Sequence, residues 1–421
     1  MNSPSLKAAQ ETSIAIVGGG MVGATLALLL ANAEPRWQIT LFERYALPLE
    51  NEPAKQPSFD ERSTALSFGS TTILNALGIW DTLESLITPI DTVHVSDAGH
   101  IGGTRLQAKA QQVPALGYVI ENRHLGQTLM QQVMHCDNIN FIAPACVTQL
   151  TPKPNGFYLS WSQDEGDSNS LHSLEPDLVI VADGAHSPLR KQLGIDTAQH
   201  DYDQTGIIAN VGFTQPHKGV AYERFTPKGP LALLPLGQSP NGKTSALVWT
   251  RPKIDAESLL KCSEAQFLDQ LQADFGWRLG RFTRVSPRHA YPLSLILAKE
   301  QVRQHLVVVG NAAHFLHPVA GQGFNLALRD CARLAAVLAE GWKNNPITFA
   351  KLNNLQRYVD QQHTDQLTTI GFSHNLVKLF SSDHLVYAGL RQLGLLALDT
   401  TATGQSAFAR QAMGVGGAFS L

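Results

Sequence analysis

The sequence is poor in cysteine and in charge. Its four cysteines, Cys136, Cys146, Cys262 and Cys331, form no C-x-x-C pair and have no spacing typical of metal ligands. This scarcity excludes a disulfide framework and predicts a reducing compartment. Charged residues make up 16% of the chain and the formal net charge is −3, whereas an average soluble domain is roughly 25% charged. We therefore expect no nucleic-acid partner, and we expect some surface to be buried against a partner, a membrane or an apolar ligand.

The sequence also lacks an unbroken apolar run of membrane-spanning length. The longest candidate, residues 13–33 (SIAIVGGGMVGATLALLLANA), is interrupted by three consecutive glycines, which are poor helix formers. No clearly positive segment precedes it, so we reject the alternative of a secretory signal. We predict a cytoplasmic protein, with peripheral contact at the inner face of the cell membrane left open.

The same stretch predicts a dinucleotide-binding unit. The buried strand SIAIV runs into Gly18-x-Gly20-x-x-Gly23, a helix follows to about Ala33, and a second strand, QITLFE, ends at Glu43. Gly18 suits a tight turn, Gly20 leaves space for a pyrophosphate, and Gly23 allows close packing of helix on strand. Glu43 can accept hydrogen bonds from ribose hydroxyls. In this order of strand, helix and strand, the glycine motif is specific.

Two later segments repeat the pattern of a buried strand followed by a loop. Residues 176–194 (PDLVIVADGAHSPLRKQLG) contain a strand that ends at Asp183-Gly184. Residues 306–310 (LVVVG) lead through a proline- and glycine-containing loop into a helix beginning near Phe324. We expect the three strands to bring their loops to one edge of a parallel sheet, where such sheets bind ligands.

These three motifs together resemble the FAD-dependent aromatic hydroxylases of the para-hydroxybenzoate hydroxylase type. More narrowly, DERSTALSFGS, ENRHLGQTL, YERFTPKGPLALLPL and HPVAGQGFNLALRD resemble the ubiquinone-biosynthesis hydroxylases, over residues 13–343. That family usually has Gly-Asp where this chain has Gly310-Asn311. With asparagine in place of aspartate at this position, the chain resembles the branch of the family that hydroxylates 2-polyprenyl-6-methoxyphenol. The resemblance implies that Asn311 meets the ribityl chain, since an amide oxygen is still an acceptor.

The resemblance also implies an α/β fold: an FAD-binding, Rossmann-like domain, an interleaved α+β substrate domain and a C-terminal helical tail. The FAD-binding domain would comprise residues 1–75, 102–190 and 300–346, the substrate domain 76–101 and 191–299, and the helical region 347–421. Within the substrate domain we expect the strands GIIANVGF and TSALVWT and a helix near 256–276. Residues 163–175 are expected to form a polar loop. For the apolar residues of 376–398 we leave open packing on the core, dimer contact, membrane contact and complex formation.

Roles in cofactor binding follow from the resemblance, residue by residue. The first glycine motif would hold the pyrophosphate, with Glu43 on the adenosine ribose and Arg44 beside it. Arg62 would lie near the isoalloxazine ring and Arg123 near the diphosphate or the ribityl chain. Asp183 falls in a motif associated with FAD and NADPH phosphates. The complete set of cofactor-binding candidates is Gly18, Gly20, Gly23, Glu43, Arg44, Arg62, Arg123, Asp183, Gly310, Asn311, Pro318, Gly321, Gly323, Phe324 and Asn325.

The stretch GNAAHFLHPVAGQGFNLALRD contains two histidines three residues apart, His314 and His317. No cysteine or acidic cluster supplies further ligands, so we predict no metal site. Gly321 and Gly323 let the chain turn with its N–H groups towards a flat ligand, and the next helix points its positive end the same way. This arrangement would stabilise the negative charge of a reduced flavin. The histidines are expected to pack or to form hydrogen bonds within the loop.

The activity implied by the resemblance is that of an FAD-dependent NAD(P)H monooxygenase acting on a polyprenylated phenol in ubiquinone biosynthesis. NADPH would reduce the flavin and leave, because no second G-x-G-x-x-G follows a strand. Oxygen would then form a flavin C4a-hydroperoxide, which the electron-rich ring attacks. Since the cofactor performs the oxygen chemistry, we assign no catalytic side chain.

Two other functions remain open at this stage. One is a flavin-dependent reductase or dehydrogenase of a prenyl substrate, which would consume no oxygen. The other is a non-catalytic FAD-binding subunit of a biosynthetic complex, which NADPH would not reduce. The expected partners are a hydrophobic polyprenyl-phenol substrate, other quinone-biosynthesis proteins and further copies of the chain in a homo-oligomer.

Overall fold

The chain folds around two large β-sheets. A computed structural model describes residues 12–47, 56, 58–60, 62–98, 103–163, 171–237, 241–316, 321–380, 409–411 and 413–415. The strands are β1 (Thr12–Val17), β2 (Trp37–Phe42), β3 (Ser63–Ser67), β4 (Thr88–Ile90), β5 (Thr92–Asp97), β6 (Gly103–Gln107), β7 (Gly117–Glu121), β8 (Ile139–Ile142), β9 (Cys146–Lys153), β10 (Gly156–Ser162), β11 (His172–Leu174), β12 (Leu178–Val181), β13 (Thr197–Phe213), β14 (Val220–Thr226), β15 (Gly229–Leu236), β16 (Thr244–Pro252), β17 (Phe282–Val285), β18 (His289–Ala298), β19 (Val302–Arg303), β20 (Leu306–Val308) and β21 (His314–Phe315). The helices are α1 (Met21–Ala33), α2 (Phe68–Ala76), α3 (Trp80–Leu83), α4 (Asn122–His135), α5 (Pro188–Gln192), α6 (Lys253–Lys261), α7 (Glu264–Phe275), α8 (Gln322–Asn344) and α9 (Leu352–Phe380), with 3-10 turns at Lys109–Gln111 and Gly310–Ala312.

The first sheet holds the three strands whose loops were expected to meet. Its strand order is β19-β20-β12-β1-β2-β8, and all neighbours are parallel except β19 and β20. The last residues of the three central strands, Val17, Val181 and Val308, lie side by side in register. The loops that follow them therefore leave the sheet at one edge, and the prediction is confirmed.

Residues 13–33, the longest apolar stretch, lie in the core of this first sheet. They form most of β1, the glycine loop and α1, and Leu26, Ala27 and Leu30 of α1 have no exposed surface. Helix α1 packs against α8 and α4 as well as against β2. Its apolar character on all sides therefore matches burial inside the protein. Within the described residues, no helix combines the length and the apolar character that crossing a membrane would require.

The second sheet has nine strands among the described residues, in the order β21-β18-β13-β16-β15-β14-β5-β6, with β17 paired to β13. Its side chains alternate between two faces. On β15, Leu231 and Leu233 pack against α6 and α7, whereas Ala232 and Leu234 face the opposite side. The strands predicted at GIIANVGF and TSALVWT are confirmed within β13 and β16.

The single helix predicted near 256–276 is wrong, because two helices, α6 and α7, occupy this region. The helical conformation is interrupted before Ser263, which caps the start of α7. The Ser263 hydroxyl accepts a hydrogen bond from the backbone N–H of Gln266. The Gln266 side chain in turn accepts one from the backbone N–H of Ser263. This reciprocal pair is a helix start signal, and it divides one helical pattern into two helices.

Two other expectations for the connections need correction. Residues 163–175 are not all loop, since β11 pairs antiparallel with β10, while 164–170 lie outside the described residues. The boundary expected between residues 101 and 102 separates β5 from β6, which are paired within the second sheet. The rest of the domain division stays a prediction.

The C-terminal region contributes to the core beside the second sheet. Ala409 and Met413 are buried and belong to a cluster that includes Ala221 and Ala246. The Met413 carbonyl accepts a 2.8 Å hydrogen bond from the N–H of Gly69 in α2. Part of the tail therefore contacts the chain's own core. Of the apolar stretch expected at 376–398, residues 381–398 lie outside the described residues.

Candidate active site

A cavity of about 810 Å³ is lined by both large sheets. On one side lie the loops that follow β1, β2, β12 and β20, together with β3 and the beginning of α8. On the other side lie six strands of the second sheet, β5, β6, β13, β14, β15 and β16. The edge of the first sheet, where three loops meet, thus opens into a space closed by the second sheet.

The glycine loop has the conformation that its sequence predicted. Gly18 has a φ of +110°, and a Cβ there would lie 2.4 Å from the carbonyl oxygen of Ala182. A Cβ on Gly23 would lie 1.8 Å from the carbonyl oxygen of Gly18, so only glycine permits this packing of α1 on the loop. Gly20 lines the cavity. A Cβ built on Gly20 would lie 3.0 Å from Gln56 Nε2, so the absence of a side chain leaves this space open. Gly18 and Gly23 thus have the roles that were expected from the sequence.

Glu43 is buried directly after β2 and points at the glycine loop. Its two carboxylate oxygens accept hydrogen bonds of 2.9 Å each from the backbone N–H groups of Gly19 and Tyr45. Burial raises the pKa of Glu43, and these N–H donors act in the opposite direction. The next residue, Arg44, lines the same cavity and is exposed. A carboxylate fixed beside the loop in this way matches the ribose acceptor of a dinucleotide site.

Asp183 lies at the same edge, in the loop after β12. Both of its carboxylate oxygens are buried, and neither forms a hydrogen bond of normal geometry within the described part of the chain. Burial raises the pKa of Asp183, while the nearby Ser187 hydroxyl and Leu189 N–H favour the charged form. A buried carboxylate at the cavity whose oxygens have no hydrogen bond of normal geometry is explained if a ligand supplies donors to it.

Arg190 connects two of the three loops and was absent from the candidate set. It is buried and donates hydrogen bonds to the carbonyl oxygens of Ala312, at 2.6 Å, and Ala185, at 2.9 Å. The Ser187 hydroxyl caps the same short helix by accepting from the Arg190 N–H. Arg190 thereby fixes the loop after β12 against the turn after β20. The spacing of serine and arginine after Asp183 was the signal in the sequence.

The turn after β20 brings Asn311 but not Gly310 to the cavity. Gly310 has a φ of +59°, and a Cβ there would lie 2.9 Å from Val22, so its role is to shape the turn. Asn311 lines the cavity, is exposed, and has no side-chain hydrogen bond to any described residue. Its amide is therefore available to a ligand.

Helix α8 begins at Gln322, two residues earlier than expected, after Gly321 in a left-handed conformation with φ +61°. Gly321, Gly323 and Phe324 all line the cavity. The candidates Pro318 and His317 lie outside the described residues.

His314 forms a hydrogen bond, as predicted, but the partner lies on α8 and not within the loop. Its Nε2 pairs with the carboxylate of Asp330 on α8, and both side chains are fully buried. Asp330 also accepts a 3.0 Å hydrogen bond from Gln366 on α9. The histidine therefore anchors the loop to two helices.

Asn325 requires a correction, because its amide has no capacity left for a cofactor. Its oxygen accepts from the Ser67 N–H, at 2.8 Å, and the Ser70 hydroxyl, at 2.7 Å. Its nitrogen donates to the carbonyl oxygens of Ala65 and Gly321, each at 2.8 Å. An amide forms four such bonds in all. Asn325 therefore holds β3 and α2 against the start of α8 beside the cavity.

Of the two arginines predicted to bind the cofactor, the structure places one at the cavity and the other outside it. Arg62 lines the cavity, pairs with Asp60, and places its guanidinium 4.8 Å from the centre of the Tyr291 ring. Arg123 does not line the cavity. It is exposed and donates a 2.6 Å hydrogen bond to the Glu121 carboxylate. The pairing with Glu121 explains why Arg123 is turned away.

The side of the cavity formed by the second sheet is apolar, and we call it the apolar wall. It consists of side chains that share one face of β5, β14, β15 and β16, among them Val95, Ala221, Phe225, Ala232, Leu234 and Val248. Small and branched side chains leave room for a sizeable apolar ligand. One carboxylic acid, Glu223, lies within this wall; it belongs to the stretch YERFTPKGPLALLPL, but no role was predicted for it from the sequence.

Comparison with known proteins agrees with this geometry. The family profile of the FAD-binding domain matches residues 11–363. The ubiquinone hydroxylase UbiL of Rhodospirillum rubrum is 33% identical, over 95% of this chain and 89% of its own length. The 3-demethoxyubiquinol 3-hydroxylase of Escherichia coli is 31% identical, over 93% of this chain and 95% of its own length.

A solved structure supports the fold independently. The p-nitrophenol 4-monooxygenase of Pseudomonas putida superposes with a TM-score of 0.76 at 16% identity, covering 97% of this chain and all of that one. The predicted fold class is thereby confirmed. The chain belongs to the FAD-binding-domain family of flavoprotein monooxygenases and, within it, to the FAD-dependent hydroxylases of ubiquinone biosynthesis.

Proposed function

We propose that this FAD-dependent hydroxylase acts on the aromatic ring of 2-polyprenyl-6-methoxyphenol, with NADPH as reductant and oxygen as co-substrate. One observation carries the proposal: a single cavity joins the three polar loops of the first sheet to the apolar wall of the second. An aromatic ring bearing a long apolar chain and one hydroxyl matches such a space. The choice of this phenol rests on Asn311, which has the form typical of that branch.

The residues of the polar loops fit FAD by their chemistry. In the proposed complex the glycine loop and the positive end of α1 bind the pyrophosphate, and Glu43 accepts from the adenosine ribose. Asn311 would accept from the ribityl chain, and Arg62 would lie beside the ring system. Bound FAD supplies the electron transfer and the oxygen activation that no side chain can perform. The apolar wall excludes water from the reacting groups.

The manner in which NADPH and the prenyl substrate arrive is also part of the proposal. No second glycine motif follows a strand in the sequence, so NADPH binds transiently rather than in a domain of its own. The substrate is carried in a membrane because of its prenyl chain. We propose that the protein is cytoplasmic and takes the substrate through peripheral contact, in company with further copies of itself or other quinone-biosynthesis proteins.

The test uses purified FAD-loaded protein with NADPH, oxygen and a short-chain 2-prenyl-6-methoxyphenol. We expect coupled consumption of NADPH and oxygen and a product heavier by one oxygen atom, identified by mass spectrometry. Flavin reduction without oxygen consumption during turnover would favour a reductase, and a flavin that NADPH does not reduce would favour a non-catalytic subunit. Turnover of 3-demethoxyubiquinol alone would refute the choice of substrate.

The position of Asn311 yields a prediction about cofactor affinity. Asn311→Ala removes an acceptor and leaves a ribityl hydroxyl unpaired, so the FAD dissociation constant should rise roughly 5- to 150-fold, from a cost of about 1–3 kcal/mol. Asn311→Asp keeps an acceptor and should bind FAD nearly as well as the parent. Titration of FAD-free protein by flavin fluorescence quenching measures both constants.

A matched control for Asn311 is Asn140→Ala, an exposed position on β8 outside the cavity. Equal FAD affinity in all four proteins would show that Asn311 does not contact the cofactor.

A further inference from the structure

Glu223 occupies the middle of the apolar wall. It lies on β14, and its neighbours on the adjoining strands are Val95 of β5 and Ala232 of β15. Along β14, the next residues on the same face are Ala221 and Phe225. All four neighbours are apolar and line the cavity with it. A carboxylic acid is therefore surrounded on the wall by groups that cannot form hydrogen bonds with it.

Elsewhere among the described residues, the carboxyl group of Glu223 also has no partner. Within the described part of the chain it forms no hydrogen bond and no ion pair, and the residue is partly buried. Burial alone raises the pKa of Glu223 to about 7. Carboxylic acids are rare in apolar surroundings unless they have a partner, because transfer from water is unfavourable for the charged form. A carboxyl group held in this position without a structural role is a candidate for chemistry.

We propose that Glu223 contacts the phenolic hydroxyl of the substrate and acts as the general base that removes its proton. This inference rests on the proposed function, because it requires a phenol in the cavity. In the step, the O–H bond of the phenol breaks, a new O–H bond forms on the Glu223 carboxylate, and the electron pair stays on the phenolic oxygen. That oxygen then donates electron density to the ring carbons ortho and para to it. No oxidant is consumed in this step.

The surroundings of β14 determine which other groups can influence a pH profile. Apart from Tyr222, the other titratable side chains that line the cavity are Glu43, Arg44, Tyr45 and Asp183 on loops of the first sheet, Arg62 before β3 and Cys146 at the start of β9. On β5, Asp97 lies two residues after Val95 and therefore on the same face of the strand. Tyr222 and Arg224, beside Glu223 in sequence, have contacts with α7 on the other face of the sheet. On β5, His94 contacts Tyr222 on that other face, and burial lowers its pKa to about 4. Glu223 is therefore the group of this wall expected to titrate near neutral pH.

The test compares FAD-loaded parent protein with Glu223→Gln, which has the same shape but cannot accept the proton. We expect unchanged FAD content and a hydroxylation rate lower by about 100-fold or more at neutral pH, the scale of general-base catalysis. Glu223 is a base only when ionised, so the parent kcat/KM should rise as the pH increases through about 7 and then level off. The Gln variant should lack this rise. Its rate should instead increase up to the pKa of the free phenol, about 10.

A binding measurement provides a readout that does not depend on turnover. Calorimetric titration of oxidised FAD-loaded protein with the short-chain prenylated phenol should give tighter binding at pH 8 than at pH 6 for the parent. Glu223→Gln should remove this difference and weaken binding at pH 8 roughly 10- to 100-fold, as expected for loss of a charge-assisted hydrogen bond. Glu223→Asp keeps a carboxylate and should restore the rise near pH 7 at a lower rate.

The control variant is Glu257→Gln, an exposed carboxylate on α6, which should match the parent in every measurement. An active parent together with an unchanged rate, pH profile and binding in Glu223→Gln would overturn the role of Glu223 and leave the proposed function standing. A parent that binds no phenol and transfers no oxygen would overturn the proposed function, and the assignment of Glu223 with it.

Discussion

Replacement of Gly20 by valine is expected to yield a folded protein that has lost its FAD. Gly20 lines the cavity at the start of α1, and the atoms nearest to a Cβ at this position would be the ends of two side chains, Gln56 Nε2 at 3.0 Å and Ser58 Oγ at 3.1 Å. These side chains can move, so the fold should tolerate the substitution. The branched methyl groups, however, would occupy the space that the pyrophosphate needs.

We expect the FAD dissociation constant of Gly20→Val to rise at least about 100-fold, equivalent to about 2.7 kcal/mol. Fluorescence titration measures the affinity, and circular dichroism checks the fold. A matched control is Gly371→Val on α9, where a Cβ would meet nothing within 4 Å. Stoichiometric FAD in purified Gly20→Val would refute the placement of the pyrophosphate. Gly23→Val should behave differently, because its Cβ would collide with the backbone oxygen of Gly18 and disturb the fold itself.

Asn325→Leu should be the most destabilising of the polar substitutions at the site. The leucine has a similar volume but forms none of the four hydrogen bonds of the amide. The buried N–H of Ser67 and the partly buried carbonyl groups of Ala65 and Gly321 would lose a partner. Each unsatisfied group costs about 1–3 kcal/mol, so we expect a loss of about 3–5 kcal/mol in the free energy of unfolding.

Denaturant unfolding of FAD-free protein measures the stability loss in Asn325→Leu, and flavin titration measures the accompanying loss of affinity. The control is Asn353→Leu, at an exposed position on α9, where a change within about 0.5 kcal/mol is expected. If Asn325→Leu unfolded like the parent and bound FAD equally well, the amide would not hold the start of α8 in place.

The parts of the fold that could be predicted from the sequence depend on local signals. A short buried strand, three glycines at fixed spacing and an acid after the next strand define β1, the loop, α1 and Glu43 within about thirty residues. The burial of β12 and β20 was visible in the same way, as short apolar runs without alternation. Because parallel strands present their carboxyl ends at one edge, the meeting of the three loops followed from these local patterns.

The parts that could not be predicted depend on long-range pairing or on competition between partners. The position of Glu223 on the apolar wall is fixed by the register of β14 with β5, more than a hundred residues earlier in the chain. A shift of one residue would turn it to the other face. Arg123 belonged to a recognisable motif, yet Glu121, two residues away, holds its guanidinium outside the cavity. The amino-acid pattern does not show on which face of the sheet Glu223 lies, nor whether Arg123 points to the cavity or to Glu121.

The contact between Met413 and Gly69 has a consequence for how the protein is made. The cavity begins with a loop near the N-terminal end and is completed by Met413, about 400 residues later, which at about 5–20 residues per second is synthesised roughly 20–80 s afterwards. The wall around Ala221 and Ala246 is complete only with β16, about 160 residues before Met413, so it stays uncovered for roughly the last 8–32 s of that interval. Ribosome-bound chains should therefore expose this apolar surface to chaperones until the segment around Met413 emerges and docks on α2.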